Sequence, residues 1–137
     1  MPKFDPLFNV SNKTIIVTGA SSGLGVTFAE FLASRGANVV ISARREDKLE
    51  ELKNKILEKN QSAMSVSCDV TDSSQVAAMF NDAEERFGRV DVVVNNAGQI
   101  AEAGAVPEKI TDEMFEQTVR SEERRLGKEC RSRWAPS

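Results

Sequence analysis

At 137 residues the chain is long enough for one domain and no more, and its 40% hydrophobic and 28% charged content fits a globular protein, not a disordered or collagen-like one. A net charge of −3 gives no footing for nucleic acid, no apolar run reaches the roughly 18 residues of a membrane span, and the start Met1-Pro2-Lys3-Phe4-Asp5-Pro6 lacks the basic-then-apolar pattern of a secretion signal. Cys68 and Cys130 have no metal-ligand spacing and there is no histidine, so no metal site is expected, and a reducing, cytoplasmic setting is the default.

The elements alternate between strand and helix, which implies a parallel sheet with helical crossovers. Thr14-Ile15-Ile16-Val17-Thr18 is a β-branched run ending at Gly19, apolar enough for a strand buried on both faces. Leu24 to Arg35 has helical spacing, with Leu24, Phe28, Phe31 and Leu32 on one face and Gly36 as its C-terminal cap. Asn38 to Ser42 is the second strand. Glu46 to Lys59 is the second helix, with Leu49, Leu52, Ile56 and Leu57 expected inward. Ala63 to Cys68 alternates weakly as a third strand. Thr71-Asp72-Ser73 offers N-caps for a helix to about Phe87, whose buried stripe is Val76, Met79, Phe80 and Ala83. Val90 to Asn95 is the fourth strand, residues 99–109 read as a loop, and Thr111 opens a helix reaching Val119.

Composition changes after Val119. Residues 120–137 carry six Lys or Arg against three Glu, which reverses the acidic balance of residues 1–119, and they show no periodicity. A solvated basic tail is one reading. The run Arg-Ser-Glu-Glu-Arg-Arg followed by Gly-Lys-Glu-Cys-Arg-Ser-Arg-Trp also resembles the translation of a sequencing-library adapter, so 120–137 is read as non-native and 1–119 as the domain.

The chemistry concentrates where strand one meets helix one, at Thr18-Gly19-Ala20-Ser21-Ser22-Gly23-Leu24-Gly25. A pyrophosphate needs backbone N–H donors and a helix N-terminus aimed at it, with no side chains in the way. Glycines permit the tight turn and close approach, and Ser21 and Ser22 add hydroxyl donors. The spacing is Gly-x-x-x-Gly-x-Gly, not the commoner Gly-x-Gly-x-x-Gly. A bare strand–helix turn is the plainer alternative.

Two further motifs stand at strand ends: Cys68-Asp69-Val70 after strand three and Asn95-Asn96-Ala97-Gly98 after strand four. With Thr18-Gly19-x-x-x-Gly23-x-Gly25, and in that order, they resemble the cofactor motifs of the short-chain dehydrogenase/reductase family over residues from about 10 to 119. The resemblance implies the N-terminal half of a doubly wound Rossmann-type parallel sheet, about four strands in the order 3-2-1-4. It also implies that Gly19, Ser21, Ser22, Gly23, Leu24 and Gly25 form the phosphate turn, that Asp69 and the Val70 backbone contact adenine, and that Asn96, Ala97 and Gly98 line the nicotinamide ribose. Asn95 would tie strand four to its neighbours, and Asp69 could instead be only a helix-entry turn residue.

An acidic residue about 20 positions past the glycines would bind the ribose 2′-hydroxyl of NAD. That place holds Ala43, followed by Arg44-Arg45. Guanidinium suits a 2′-phosphate, so NADP is favoured over NAD, with Arg44 as the reader and Arg45 as a surface charge.

The family's reaction moves a hydride between nicotinamide and a carbonyl or alcohol. It uses a tyrosine as general acid/base, with a lysine four residues on, a serine and an asparagine. The chain has no tyrosine, and Ser121-Glu122-Glu123 stands where the asparagine is expected, so no catalytic residue is assigned. The expectation is therefore a fragment whose parent is a homo-oligomeric NADP-linked oxidoreductase acting on a small alcohol or carbonyl, with no nucleic-acid or membrane partner. A non-catalytic nucleotide-binding or redox-sensing module, or a truncated product without function, are the alternatives. Strand four is expected as an exposed apolar edge.

Overall fold

The strand β1 (Thr14–Thr18) is buried at every position. It lies between β2 (Asn38–Ala43) and β4 (Val92–Val94), with β3 (Ser62–Ser67) outside β2. The computed structural model describes residues 6–97. The loop expected at 99–109, the helix from Thr111, the tail at 120–137, and with them Gly98 and Cys130, lie outside the described residues.

All three strand pairs are parallel, and the order is β3-β2-β1-β4. The order matches the sequence expectation. It places a switch point between β1 and β4: the chain leaves β1 towards β2 by one helix, and returns from β3 to β4 by another. Such a point opens a crevice at the carboxyl ends of the strands.

The strands are apolar on both faces because both are covered. Ile15, Val17, Val39 and Ile41 face one way, against α1 (Leu24–Ser34) and α2 (Glu46–Leu57). Ile16 and Val40 face the other, against α3 (Ser73–Phe87). The stripe of α3 is as expected, with Val76, Met79, Phe80 and Ala83 all buried. Burying Val76, Met79 and Phe80 stabilises by about 1.5–3 kcal/mol each.

The inward face of α1 differs from the expectation. Gly25, Ala29 and Ala33 are its buried residues, and Leu24, Phe28 and Phe31 are exposed, by 66%, 38% and 55%. Only Leu32 of the expected face packs against the core. The reason is distance. The first turn of α1 lies so close to the end of β1 that small side chains alone fit between, and the stripe four residues apart follows from there. Leu57 is likewise exposed, because it sits about 100° round the helix from the buried Leu49, Leu52 and Ile56 stripe.

Helix ends follow local chemistry. Gly36 closes α1 as expected: its N–H donates to Ala33 O at 3.0 Å and Ala37 N–H to Leu32 O at 3.2 Å, the paired bonds of a Schellman ending. Of the three N-cap candidates for α3, Asp72 is the cap, accepting from the N–H groups of Ser74 and Gln75. β4 is shorter than expected, and Val92 at the sheet edge is 40% exposed.

Candidate functional site

The site begins with Thr18, the last residue of β1 and 2% exposed. Its hydroxyl donates to Val94 O at 3.3 Å and accepts the N–H groups of Asn96 at 3.1 Å and Ala97 at 3.0 Å. One side chain thereby joins the end of β1 to the turn after β4. Asn96 adds a second tie, its Nδ2 donating to Gly19 O at 3.3 Å.

The two segments meet without room for side chains. A Cβ on Gly19, whose φ is +67°, would stand 2.8 Å from Ala97 Cα. A Cβ on Gly25 would stand 2.3 Å from Gly19 O and 2.8 Å from Asn96 Nδ2. Contacts with backbone atoms at such distances cannot be relieved by a rotamer change. Gly23, the N-cap of α1, supplies no capping side chain. The N–H groups of the first turn therefore keep their hydrogen-bonding capacity and the positive end of the helix dipole.

The second wall comes from the end of β2. Ala43 is buried, and Arg44 and Arg45 follow it with exposed side chains. The Arg44 carbonyl accepts the Ser67 hydroxyl at 3.4 Å, and Ala43 O accepts Cys68 N–H at 3.0 Å, so β3 holds this corner in place.

The third wall is Cys68-Asp69-Val70-Thr71, between β3 and α3. Asp69 Oδ1 accepts both the Thr71 N–H at 2.9 Å and the Thr71 hydroxyl at 2.7 Å. These bonds hold the Asp69 carboxyl below its usual range. Arg44 pulls the same way, while burial and Asp72 oppose.

Together the three walls enclose an open cavity of about 620 Å³, lined by Gly19, Ser21 and Ser22, by Ala43, Arg44 and Arg45, by Cys68, Asp69, Val70 and Thr71, and by Asn96 and Ala97. Of the residues singled out in the sequence, Gly19, Ser21, Ser22, Arg44, Asp69, Val70, Asn96 and Ala97 line it. Gly23, Leu24 and Gly25 do not line it, and Gly98 lies outside the described residues. Gly25 acts behind the wall, by letting the helix approach. Asp69 is both a cavity residue and a turn residue, so the two readings of it do not compete. Asn96, expected only to line the ribose, is also a structural tie. The sequence reading passed over Thr71, whose place in the Thr71-Asp72-Ser73 run marked it only as a helix start.

Chemically, the cavity offers small or glycine walls, two serine hydroxyls, an uncapped helix N-terminus beside it and two guanidinium side chains. That set suits an elongated anionic ligand, and the volume lies in the range of small-molecule and cofactor sites.

The sequence model of the short chain dehydrogenase family matches residues 13–122. This chain belongs to the short-chain dehydrogenase/reductase family. An uncharacterized oxidoreductase of Staphylococcus epidermidis is 40% identical over 108 residues, which is 79% of this chain and 44% of that protein. A metagenomic short-chain oxidoreductase solved in complex with NADP superposes with a TM-score of 0.71 at 31% identity, over 86% of this chain and 55% of that one. A short chain dehydrogenase/reductase of Burkholderia phymatum solved in complex with NAD superposes with a TM-score of 0.79 at 28% identity, over 90% of this chain and 43% of that one. The chain thus spans less than half the length of the curated relatives it matches first. The part it spans is the N-terminal, Rossmann-type half of the family fold.

Proposed function

We propose that the cavity holds a nicotinamide dinucleotide, NADP in preference to NAD, and that the whole protein transfers a hydride between this cofactor and a small alcohol or carbonyl compound. The observation that carries the reading is the convergence of three strand ends on one cavity: the glycine turn after β1, Arg44 after β2 and Asp69 after β3. The residues fit the group. Gly19 leaves space that any Cβ would fill, and Ser21 and Ser22 present hydroxyls beside an open helix terminus.

In this reading Ser21, Ser22 and the first turn of α1 bind the pyrophosphate. Arg44 pairs with the 2′-phosphate, because no carboxylate stands at the end of β2 to repel it. Asp69 and the Val70 backbone hold the adenine, and Asn96 and Ala97 support the nicotinamide ribose. When bound, the nicotinamide supplies the hydride acceptor or donor. The chain contains no tyrosine, and its residues contribute binding and orientation to that chemistry, not proton transfer.

Titration calorimetry of the chain with NADP+ and with NAD+ tests the reading. Tighter binding of NADP+, weakened by added salt as expected for a phosphate pair, supports it. Equal affinity, or tighter NAD+, overturns the NADP preference, and no binding of either dinucleotide overturns the site.

A further inference from the structure

Gln75 sits in the first turn of α3, three residues after the N-cap Asp72. At that position a glutamine ordinarily accepts the N–H of the cap residue itself. Here the Asp72 N–H donates instead to Asp69 O at 3.0 Å, and Gln75 Oε1 reaches past the cap to accept the Asp69 N–H at 2.8 Å. Gln75 Nε2 donates to Asp72 Oδ2 at 3.0 Å, while Asp72 Oδ1 accepts from Ser74 and Gln75. One side-chain amide therefore fastens the first acidic residue of the cavity wall to the cap of the helix behind it.

The need for such a fastening follows from the strand. Pairing between β2 and β3 ends with Cys68 N–H on Ala43 O, so the Asp69 N–H is the first on this segment beyond the sheet. A backbone donor leaving a sheet must find a partner, and a partner in the protein also fixes the direction of the chain. Gln75 is that partner, and it is not among the residues that line the cavity. It is exposed, so replacing it leaves the core untouched.

We propose that Gln75 is a positioning residue of the nucleotide cavity: by holding the Asp69 N–H it sets the course of Asp69, Val70 and Thr71 along the wall, without itself touching the ligand. This role rests on the reading of the cavity as a dinucleotide site.

The test uses Gln75→Met, which keeps the length and removes both hydrogen bonds, and Gln75→Glu, which keeps an acceptor for the Asp69 N–H. Two quantities are measured at neutral pH: amide hydrogen exchange at Asp69 without nucleotide, and the Kd for NADP+ by calorimetry. In Gln75→Met the Asp69 amide is expected to exchange about tenfold faster and the Kd to rise by about three- to tenfold, the range one net hydrogen bond supports. Gln75→Glu keeps the acceptor but sets a second carboxylate against Asp72 Oδ2, so it is expected to recover the slow Asp69 exchange in part and, through its added negative charge, not the full affinity. Unchanged exchange in Gln75→Met overturns the proposal, as does faster exchange with an unchanged Kd, or exchange in Gln75→Glu as fast as in Gln75→Met. Should the unmodified chain bind neither NADP+ nor NAD+, the dinucleotide reading falls and the positioning role falls with it. The exchange measurement then shows separately whether the Gln75 clamp exists.

Discussion

Thr18 and Ala97 stand 79 residues apart in the chain, and the Thr18 hydroxyl accepts the Ala97 N–H at 3.0 Å. The same oxygen takes the Asn96 N–H, so the turn after β4 is held by an atom that belongs to β1. The glycine turn and the asparagine motif are thus one structure, and a change at Thr18 acts on both.

Thr18→Val keeps the β-branched shape and removes the hydroxyl. The Ala97 N–H loses its bond to the hydroxyl, and the Asn96 N–H and Val94 O are left with only their bond to each other at 3.0 Å, at a position that is 2% exposed. The expected loss is about 2–3 kcal/mol in urea-unfolding free energy, with weakened nucleotide binding. Thr18→Ser keeps the oxygen and is expected to lose about 1 kcal/mol, for one buried methyl. Denaturation curves on both variants check the order.

Gly25→Ala and Gly23→Ala separate close approach from backbone conformation. The added Cβ at position 25 meets Gly19 O at 2.3 Å, so the helix must shift and the turn with it. A loss of about 2–4 kcal/mol is expected, together with loss of dinucleotide binding. At position 23 the Cβ meets nothing, but φ is +60° and ψ −134°, a region L-residues rarely occupy. About 1–3 kcal/mol is expected there, from strain alone. Equal effects of the two changes on binding would contradict the distinction.

Arg44→Asp reverses the charge at the end of β2. If Arg44 reads a 2′-phosphate, the variant loses NADP+ affinity by at least about tenfold, since a charge-assisted bond to phosphate contributes about 1.5–3 kcal/mol, and gains a ribose acceptor for NAD+. Calorimetry with both dinucleotides reads the switch. Equal NADP+ affinity before and after the change refutes the role.

Acid is expected to destabilise the fold through three aspartates. Asp69 is lowered chiefly by its Thr71 hydrogen bonds, and Asp72 by the Ser74 hydroxyl and the Gln75 amides. At Asp91 burial pushes upward, but the Arg89 guanidinium and the Thr14 N–H outweigh it and the carboxyl is lowered. A lowered folded-state value means that the fold favours the charged form. The stability is therefore fully present above the ordinary aspartate value of about 3.9, and is lost as pH falls through the lower folded values. Urea midpoints measured from neutral pH down to about pH 3 should fall on the acid side, and Asp91→Asn should flatten that limb.

Much of the site is legible in the sequence because its chemistry is local. Asp72 announces α3, Gly36 closes α1, and three short motifs fall at strand ends whatever the exact strand limits. What is not legible is which neighbour each residue finds. Asn96, placed by its motif at the ribose, also reaches back to the Gly19 carbonyl, and Gln75 Oε1 takes the Asp69 N–H in place of the N–H of the cap residue. These partners are chosen by loops meeting in space, and spacing along the chain does not encode them.

By itself the sequence determined the alternation of strands and helices, the doubly covered β1, the buried stripe of α3 and the residue types available for an anionic cofactor. Only the tertiary structure decided that α1 turns Gly25, Ala29 and Ala33 to the sheet and leaves Phe28 and Phe31 in solvent. Periodicity reveals an apolar stripe but not which stripe faces inward. Here the approach of Gly25 to the Gly19 carbonyl sets the rotation of the helix, because backbone atoms at that distance exclude every larger side chain.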